Sequence, residues 1–392
     1  MKKITDILEH KENCTGCMAC ADVCPQNCIA ITEGVDGFFY PELDESKCID
    51  CGKCRSICPI ENKKSEAGEQ TLYAAYAKAP DVKNRGSSGG MFELLAKHCL
   101  TLGYYVCGAA FEGTTLKHRL IRREEELLPL LKSKYLQSDT RGVYGQILQL
   151  LKDGQKVLFC GTPCQVSALV NAVPTQQREN LLTVDIICHG VPAQKTFDGY
   201  IQTLAQKHKE KIREFSFRVK DNRYRHANGF RYITESGKKV NGIYTNSTFY
   251  NGFKRYLFFR ESCYRCRYAT VERVADITLG DFWGIEKHDP SANTDTGVSM
   301  IILNTPKGHD MFSCVEKDLT HQQYPLQYGV DANHCLSKSA VKPAKRDTIV
   351  SELADAGYEA VAKKYFQPSL VQKVYWLIPP TLRNYIRKLR GG

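Results

Sequence analysis

The sequence predicts an α/β body that grades into α+β, set behind a small cysteine-rich unit at the N-terminus. Three observations carry this reading. One cysteine pattern is written twice within the first sixty residues. Between Thr71 and Ala205, short apolar runs alternate with segments whose apolar residues recur at helical spacing, the signature of strand–turn–helix units. From Ile212 onward strand-like runs dominate, which moves the expected class toward α+β.

The N-terminal unit, residues 1–62, comes first. Its two copies read Cys14-Thr-Gly-Cys17-Met-Ala-Cys20-Ala-Asp-Val-Cys24-Pro25 and Cys48-Ile-Asp-Cys51-Gly-Lys-Cys54-Arg-Ser-Ile-Cys58-Pro59. This is C-x₂-C-x₂-C-x₃-C-P twice, the spacing of a bacterial ferredoxin with two [4Fe–4S] cubanes. Three cysteines two residues apart wrap one corner of a cube, and the fourth serves the other cube. The spacing therefore assigns Cys14, Cys17, Cys20 and Cys58 to one cluster, and Cys48, Cys51, Cys54 and Cys24 to the second. Pro25 and Pro59 turn the chain away from the sulfurs. Zinc and disulfides are the competing readings; zinc takes paired C-x₂-C units, which this doubled order fits poorly. Cys28 lies outside the pattern and reads as a small buried side chain.

Bulk composition bounds the rest. The chain has 392 residues, 42% hydrophobic and 25% charged, ordinary values for a globular protein of two or three domains. No run of 18 apolar residues predicts a membrane span. The first ten residues lack the apolar segment of a secretory signal. Eighteen cysteines without such a signal point to thiolate ligands in a reducing, cytoplasmic setting. The net charge of +11 is spread out and accompanied by no nucleic-acid motif, so acidic partners are expected and nucleic acid is not.

Residues 61–70 hold no large apolar side chain, and a linker is placed at 63–72. Strands are expected at Thr71–Lys78, Tyr104–Phe111, Lys156–Cys160 and Leu181–Cys188. Helices are expected at Met91–Leu102, Glu124–Leu131, Val143–Lys152, Val166–Asn171 and Ala193–Ala205. Further strands follow at Ile212–Val219, Phe230–Thr234, Lys239–Tyr244, Ala275–Leu279 and Val298–Asn304, then polar helices past residue 345. Residues 381–390 read as a basic amphipathic helix, a solvated terminal helix or a contact for an anionic membrane or a partner.

Two strand-to-helix turns carry glycine: Ser87-Ser88-Gly89-Gly90 and Gly161-Thr162-Pro163. Free N–H groups at such turns can hold a phosphate, although an N-cap is the plain alternative. Cysteines recur here as well. Cys263-Tyr-Arg-Cys266 is a C-x₂-C clamp next to Arg260, Arg265 and Arg267. With Cys188 and Cys164 it makes up a third cubane set, ahead of Cys160, with zinc or a redox dithiol as alternatives. Cys99, Cys107, Cys314 and Cys335 read as packing residues. His189 reads first as a hydrogen-bonding residue. Asp276 and Asp281 bracket a strand end that can face a site.

Taken in order, Ser87-Ser-Gly-Gly90, Ser133-Lys-Tyr-Leu-Gln-Ser138, Phe159-Cys-Gly-Thr-Pro-Cys-Gln165, Cys188-His-Gly190, Cys263-x-x-Cys266, Asp276-Ile-Thr-Leu-Gly-Asp281 and Gly297-Val-Ser299 resemble the coenzyme F420 hydrogenase/dehydrogenase beta-subunit family. The resemblance runs from about residue 73 to 345. It implies an N-terminal-type domain at 73–178, a C-terminal-type domain at 179–345 and a helical basic tail at 346–392. It also implies FAD held near Ser87, Ser88, Gly89, Gly90, Lys134, Gln137, Ser138, Gly161, Thr162 and Pro163, with Cys164, Cys188, Cys263 and Cys266 on a third cluster. The implied activity is that of a FAD- and [4Fe–4S]-dependent oxidoreductase. Electrons come from ferredoxin or another small carrier, and hydride is exchanged with coenzyme F420 or another organic substrate. Arg265 and Arg267 would raise a neighbouring cluster's potential; Lys134, Arg218 and Lys220 would offset negative charge. The chain departs from the family at Phe217-Arg218-Val-Lys220. The alternatives are a non-catalytic electron-transfer subunit that wires a partner enzyme to ferredoxin, and a flavin-free redox sensor.

Overall fold

Each cysteine loop must turn its amides inward around its sulfurs, and the backbone does so through left-handed residues. In the computed structural model, Gly16 (φ 66°) and Met18 (φ 61°) in the first loop match Asp50 (φ 53°) and Gly52 (φ 70°) in the second. Met18 and Gly52 each lead into one helical turn, α1 (Ala19–Asp22) and α2 (Lys53–Ser56). Between them, β1 (Ile29–Glu33) pairs antiparallel with β2 (Phe39–Leu43). The structure describes residues 4, 10–64, 68–221, 224–290, 292, 297–368 and 378; the basic segment expected at 381–390 lies outside them.

The body is built on one sheet. Its elements begin with β3 (Thr71–Ala77), α3 (Pro80–Arg85), α4 (Met91–Thr101), β4 (Tyr105–Glu112), β5 (Thr115–Ile121) and α5 (Val143–Lys152). β6 (Val157–Gly161), α6 (Pro163–Ala172), β7 (Leu181–Ile186) and α7 (Gln194–His208) follow. After β8 (Ile212–Asp221), β9 (Tyr224–Thr234), β10 (Lys239–Ile243) and α8 (Thr248–Lys254) come β11 (Ile277–Asp281), β12 (Ser299–Leu303), α9 (Pro306–Val315), β13 (Leu319–Tyr324) and α10 (Leu326–Ala332). Helices α11 (Arg346–Asp355) and α12 (Gly357–Tyr365) close the described chain.

Eight strands lie in the order β13-β3-β12-β11-β7-β6-β4-β5. The centre, β4-β6-β7-β11, is parallel; β5, β12, β3 and β13 add antiparallel strands on its two sides. The sheet thus mixes strands from residues 73–178 with strands from 179–345. Parallel strands covered on both faces read as unbroken apolar runs, as Val157-Leu-Phe159 of β6 does, all three residues buried. A smaller sheet, β10-β9-β8, packs an aromatic cluster of Phe197, Phe215, Phe217, Phe249 and Phe258.

Three differences from the sequence expectation have local causes. The helix expected at Glu124–Leu131 is two 3₁₀ turns, Glu124–Glu126 and Leu128–Leu130, because Pro129 removes an N–H that an α-helix needs. The strand expected to reach Cys188 ends at Ile186, which frees residues 187–191 to line a cavity. Edge strands β5 and β13 were not expected; each has one solvated face, so polar residues such as Lys117, Gln322 and Gln323 interrupt the apolar pattern.

Candidate functional site

The cysteines of the N-terminal unit fall around two cavities. Cys14, Cys17, Cys20 and Cys58 line one; Cys24, Cys48, Cys51 and Cys54 line the other, with Cys28 beside them. Cys17 and Cys20 are buried whereas Cys51 is exposed, so the first cavity is the inner one and the second faces solvent. Backbone N–H groups point at the sulfurs, as from Gly16 to Cys14 Sγ (3.4 Å). Burial raises the Cys17 and Cys20 thiols, with their cysteine neighbours adding to it, and pushes Cys58 up to about 11. Thiols so placed ionise together only around a positively charged metal core. A single zinc ion draws its sulfurs to within about 4 Å of one another, given a Zn–S bond of about 2.3 Å. Among the described residues no three of these sulfurs come within 4.8 Å of one another. The donor set fits a cube better than a point.

The unit is fastened to the body by its own loop carbonyls. Gln137 Nε2 donates to Thr15 O and Gly16 O (2.9 Å each), and Thr140 Oγ1 donates to Cys17 O (2.8 Å). Asp22 crosses the junction in the other direction. Its carboxylate accepts from the amides of Gly142, Tyr144 (2.9 Å each) and Gly145 (3.4 Å), capping the N-terminus of α5 where free N–H groups and the helix dipole favour an anion. The Tyr268 hydroxyl is hydrogen-bonded to Pro59 O (2.7 Å), next to Cys58, and to Ser167 Oγ (2.8 Å) on α6.

Beyond that junction, β6, β7 and β11 end side by side, the position where α/β sheets bind ligands. A cavity of about 530 Å³ opens there, within the range of about 300–1,000 Å³ typical of organic-ligand pockets. Cys164, Cys188, Cys263 and Cys266 all line it. Burial pushes Cys164 up to about 11 and Cys263 up to about 12, and in each case Cys266 adds to the effect. Cys188 is raised well above the ordinary thiol value by burial, with Cys263, Cys164 and Cys266 contributing. Cys160 also lines the cavity, but after burial its main influences are Lys134 and Asp185, so it stands apart from the other four. Of the remaining cysteines, Cys28, Cys99, Cys107 and Cys335 are buried, whereas Cys314 is exposed and not a packing residue.

Of the residues singled out for a flavin, Ser87, Ser88, Gly90, Lys134, Gln137, Ser138, Gly161, Thr162 and Pro163 line the cavity, and Gly89 does not; they fall into two groups by where their hydrogen bonds go. Gly90 (φ 93°) opens helix α4, whose first residues, Met91 and Phe92, also face the cavity. Lys134 Nζ donates to Leu131 O (2.8 Å), and burial lowers its pKa to about 7. Thr162 caps α6, with Oγ1 at 3.0 Å and its amide at 2.9 Å from Gln165 Oε1.

Gln137, Ser138, Ser88 and Gly89 spend their hydrogen bonds within the wall itself. Gln137 spends its side chain on the cysteine loop and on Arg260. Ser138 Oγ bonds His118 Nδ1 (2.8 Å) and accepts from Gln165 Nε2 (3.1 Å). Ser88 Oγ donates to Val298 O (2.6 Å). Gly89 gives its amide to Ser299 Oγ (2.9 Å) and lies so close to β3 that a Cβ would fall 2.2 Å from Ala75 O. Sequence spacing cannot separate these groups, because it does not record where a side chain's hydrogen bonds are spent.

Four arrangements escaped the sequence reading. His118, on the unexpected strand β5, donates from Nε2 to Cys160 O (3.0 Å), and burial lowers its pKa to about 4, leaving it neutral. Arg218 is buried and pairs both Nη atoms with Asp281 (2.7 and 2.8 Å), while also reaching Ser87 O (2.8 Å) and the Tyr135 hydroxyl (3.2 Å). Asp276, unlike Asp281, turns away from the cavity, accepting from Thr183 Oγ1 (2.7 Å) and Thr305 Oγ1 (2.6 Å). His189, His334 and Cys335 bring donor atoms within 4.8 Å of one another. Burial pushes the Cys335 thiol up to about 12, so its 3.3 Å contact with His334 Nε2 is a hydrogen bond of a neutral thiol.

Residues 154–325 match the family model for the C-terminal part of the coenzyme F420 hydrogenase/dehydrogenase beta subunit, and residues 13–62 match the 4Fe-4S dicluster domain. Over these two stretches the chain is similar to the C terminus of that beta subunit and to the 4Fe-4S dicluster domain. The chain is also similar to a ferredoxin from Saccharopolyspora erythraea, 41% identical over 74 residues, which are 18% of this chain and 65% of that protein. It is also similar to a 7Fe ferredoxin from Hydrogenibacillus schlegelii, 43% identical over 42 residues, 11% of this chain and 47% of that protein. The chain spans 16% to 65% of the length of the curated relatives it matches. A chain of the F420-reducing [NiFe] hydrogenase complex from Methanosarcina barkeri aligns with 16% identity and a TM-score of 0.43, covering 76% of this chain and 91% of that one. Among the described residues no helix is long and apolar enough to cross a membrane.

Proposed function

We propose that this protein is an iron–sulfur flavoprotein oxidoreductase. In this reading it passes electrons between the two cubanes of its dicluster domain, a third [4Fe–4S] cluster and FAD. Hydride is exchanged with coenzyme F420 or another organic substrate. One observation carries the reading: the four later cysteines and the large cavity at the strand ends share one space, next to the inner cubane site. Cys164, Cys188, Cys263 and Cys266 would hold the third cluster. Ser87, Ser88, Gly90, Lys134, Gln137, Ser138, Gly161, Thr162 and Pro163 would face the flavin, with Gly89 holding the wall behind them. When bound, the flavin would trade a two-electron hydride against single electrons carried by the clusters.

The chain's own residues serve that exchange by position and charge. Cys51 is exposed, so the outer cubane site would meet a ferredoxin or another small carrier. Lys134, half-buried with its pKa lowered by burial to about 7, gains a proton when an anion comes to rest beside it, because a nearby negative charge favours the charged amine. Arg218 and Asp281 fix the Ser87 carbonyl and so the turn that forms one wall. Residues 73–178 and 179–345 would work as one unit, since each supplies strands to the same sheet. Eighteen cysteines kept as thiols suit a reducing cytoplasm.

Anaerobic reconstitution, followed by iron, sulfide and flavin assays, tests the proposal. About twelve irons and one flavin per chain are expected from three [4Fe–4S] centres. Full iron without flavin would reject the enzyme in favour of an electron-transfer subunit, and zinc in place of iron would reject both.

A further inference from the structure

Arg260 is 1% exposed, and its guanidinium sits between the first cysteine loop and the third cysteine set. Its Nη1 donates to Cys14 O (3.0 Å), Nη2 to Phe39 O (2.6 Å) and Nε to Gln137 Oε1 (3.0 Å). The guanidinium also lies over the rings of Phe38 (4.8 Å) and Tyr40 (4.6 Å). Gly16, in the same loop, leaves room for it: a Cβ there would stand 2.5 Å from Arg260 Nη2. On its other side, Arg260 O accepts from the amide of Cys263 (3.0 Å).

Among the described residues the three hydrogen bonds of this guanidinium go to neutral acceptors. Buried cations are ordinarily paired, because removing a charge from water costs several kcal/mol on the order estimated for real proteins. Carbonyl dipoles and aromatic faces offset part of that cost. The remaining negative charge near Arg260 is what four thiolates around an iron–sulfur core would bring. Each one-electron reduction adds a negative charge to the cluster, and a fixed cation nearby favours the reduced form.

We infer that Arg260 is a positioning and tuning residue that raises the reduction potential of the inner cluster, at Cys14, Cys17, Cys20 and Cys58, above that of the outer cluster, at Cys24, Cys48, Cys51 and Cys54. Its charge thereby draws electrons inward from the exposed cluster toward the cavity. The inference rests on the cluster half of the proposed function and is independent of the flavin and of the organic substrate.

The test is a dithionite titration of anaerobically reconstituted full-length protein, with the cluster potentials read by electron paramagnetic resonance. Arg260→Met and Gln137→Glu are compared with wild type. The first removes the charge; the second sets a carboxylate against it. Both should lower the inner cluster's potential and leave the outer one in place, and Arg260→Lys should return part of the shift. Unchanged potentials, or an equal shift of every cluster, would overturn the inference. If Arg260→Met fails to load iron, Gln137→Glu and Arg260→Lys give the same reading. Wild-type protein that binds no iron would instead remove the proposed function itself.

Discussion

The pair Arg218–Asp281 offers a quantitative test of the cavity wall. Arg218 is 3% exposed and Asp281 20%. Changing Asp281 to Ala removes two hydrogen bonds, of 2.7 and 2.8 Å, and leaves a buried guanidinium without a counter-ion. Breaking a buried pair in this way costs about 3–5 kcal/mol. Ser87 O and the Tyr135 hydroxyl stay in place as acceptors, which puts the expected loss near the lower end, about 3 kcal/mol. Replacing both partners, as Arg218→Met with Asp281→Leu, removes charge and counter-charge together and is expected to cost much less. Urea unfolding followed by the fluorescence of Trp283, whose ring lies 5.5 Å from the Arg218 guanidinium, ranks the three proteins. Wild type should be the most stable, the double variant next and Asp281→Ala last, about 2 kcal/mol below the double variant. A double variant no more stable than Asp281→Ala would refute the argument that the uncompensated charge is the cost.

Four further outcomes are expected. Cys164→Ala should lose about four irons per chain, whereas Cys160→Ala should lose none; equal losses would dissolve the distinction between them. Asp22→Ala uncaps α5 and should cost about 1–2 kcal/mol, visible as faster amide exchange at Gly142, Tyr144 and Gly145. Lys134 has a folded pKa of about 7, below that of a free lysine, so the unfolded chain binds the extra proton. Stability of flavin-free protein should therefore rise as pH climbs above 7 toward the free-lysine value, and Lys134→Met should flatten part of that rise. A flat profile in wild type would contradict the lowered pKa. Gly16→Ala places a methyl group 2.5 Å from Arg260 and Gln137 at a φ of 66°, and should reduce iron at the inner cluster while the outer cluster still loads.

The cysteine grouping was legible because ligand spacing is a local property: loops of fixed length can wrap only one corner of a cube. Residue type alone nominated Cys164, Cys188, Cys263 and Cys266, which line one cavity, and it did not separate Cys160 from Cys164. These two thiols lie four residues apart across the β6–α6 turn, and only the approach of Cys188, Cys263 and Cys266 distinguishes them. The central strands were visible as apolar runs. The edges β5 and β13, half in solvent, carry too many polar residues for the pattern to show. His118 went unseen for that reason. Asp276 and Asp281 have the same chemistry and sit at opposite ends of one strand, so only their partners, Thr183 and Arg218, tell structure from site.

Sequence alone determined the loops that hold sulfur, the glycine turns and the alternation of buried strand and helix. Each depends on neighbours within a few residues, where chain geometry leaves little freedom. Tertiary structure decided where hydrogen bonds and charge are spent: Gln137 on the cysteine loop, Asp22 on a distant helix and Arg260 between two cysteine sets. Those contacts join residues more than a hundred positions apart, and their energies come from burial, which folding sets and local pattern does not encode.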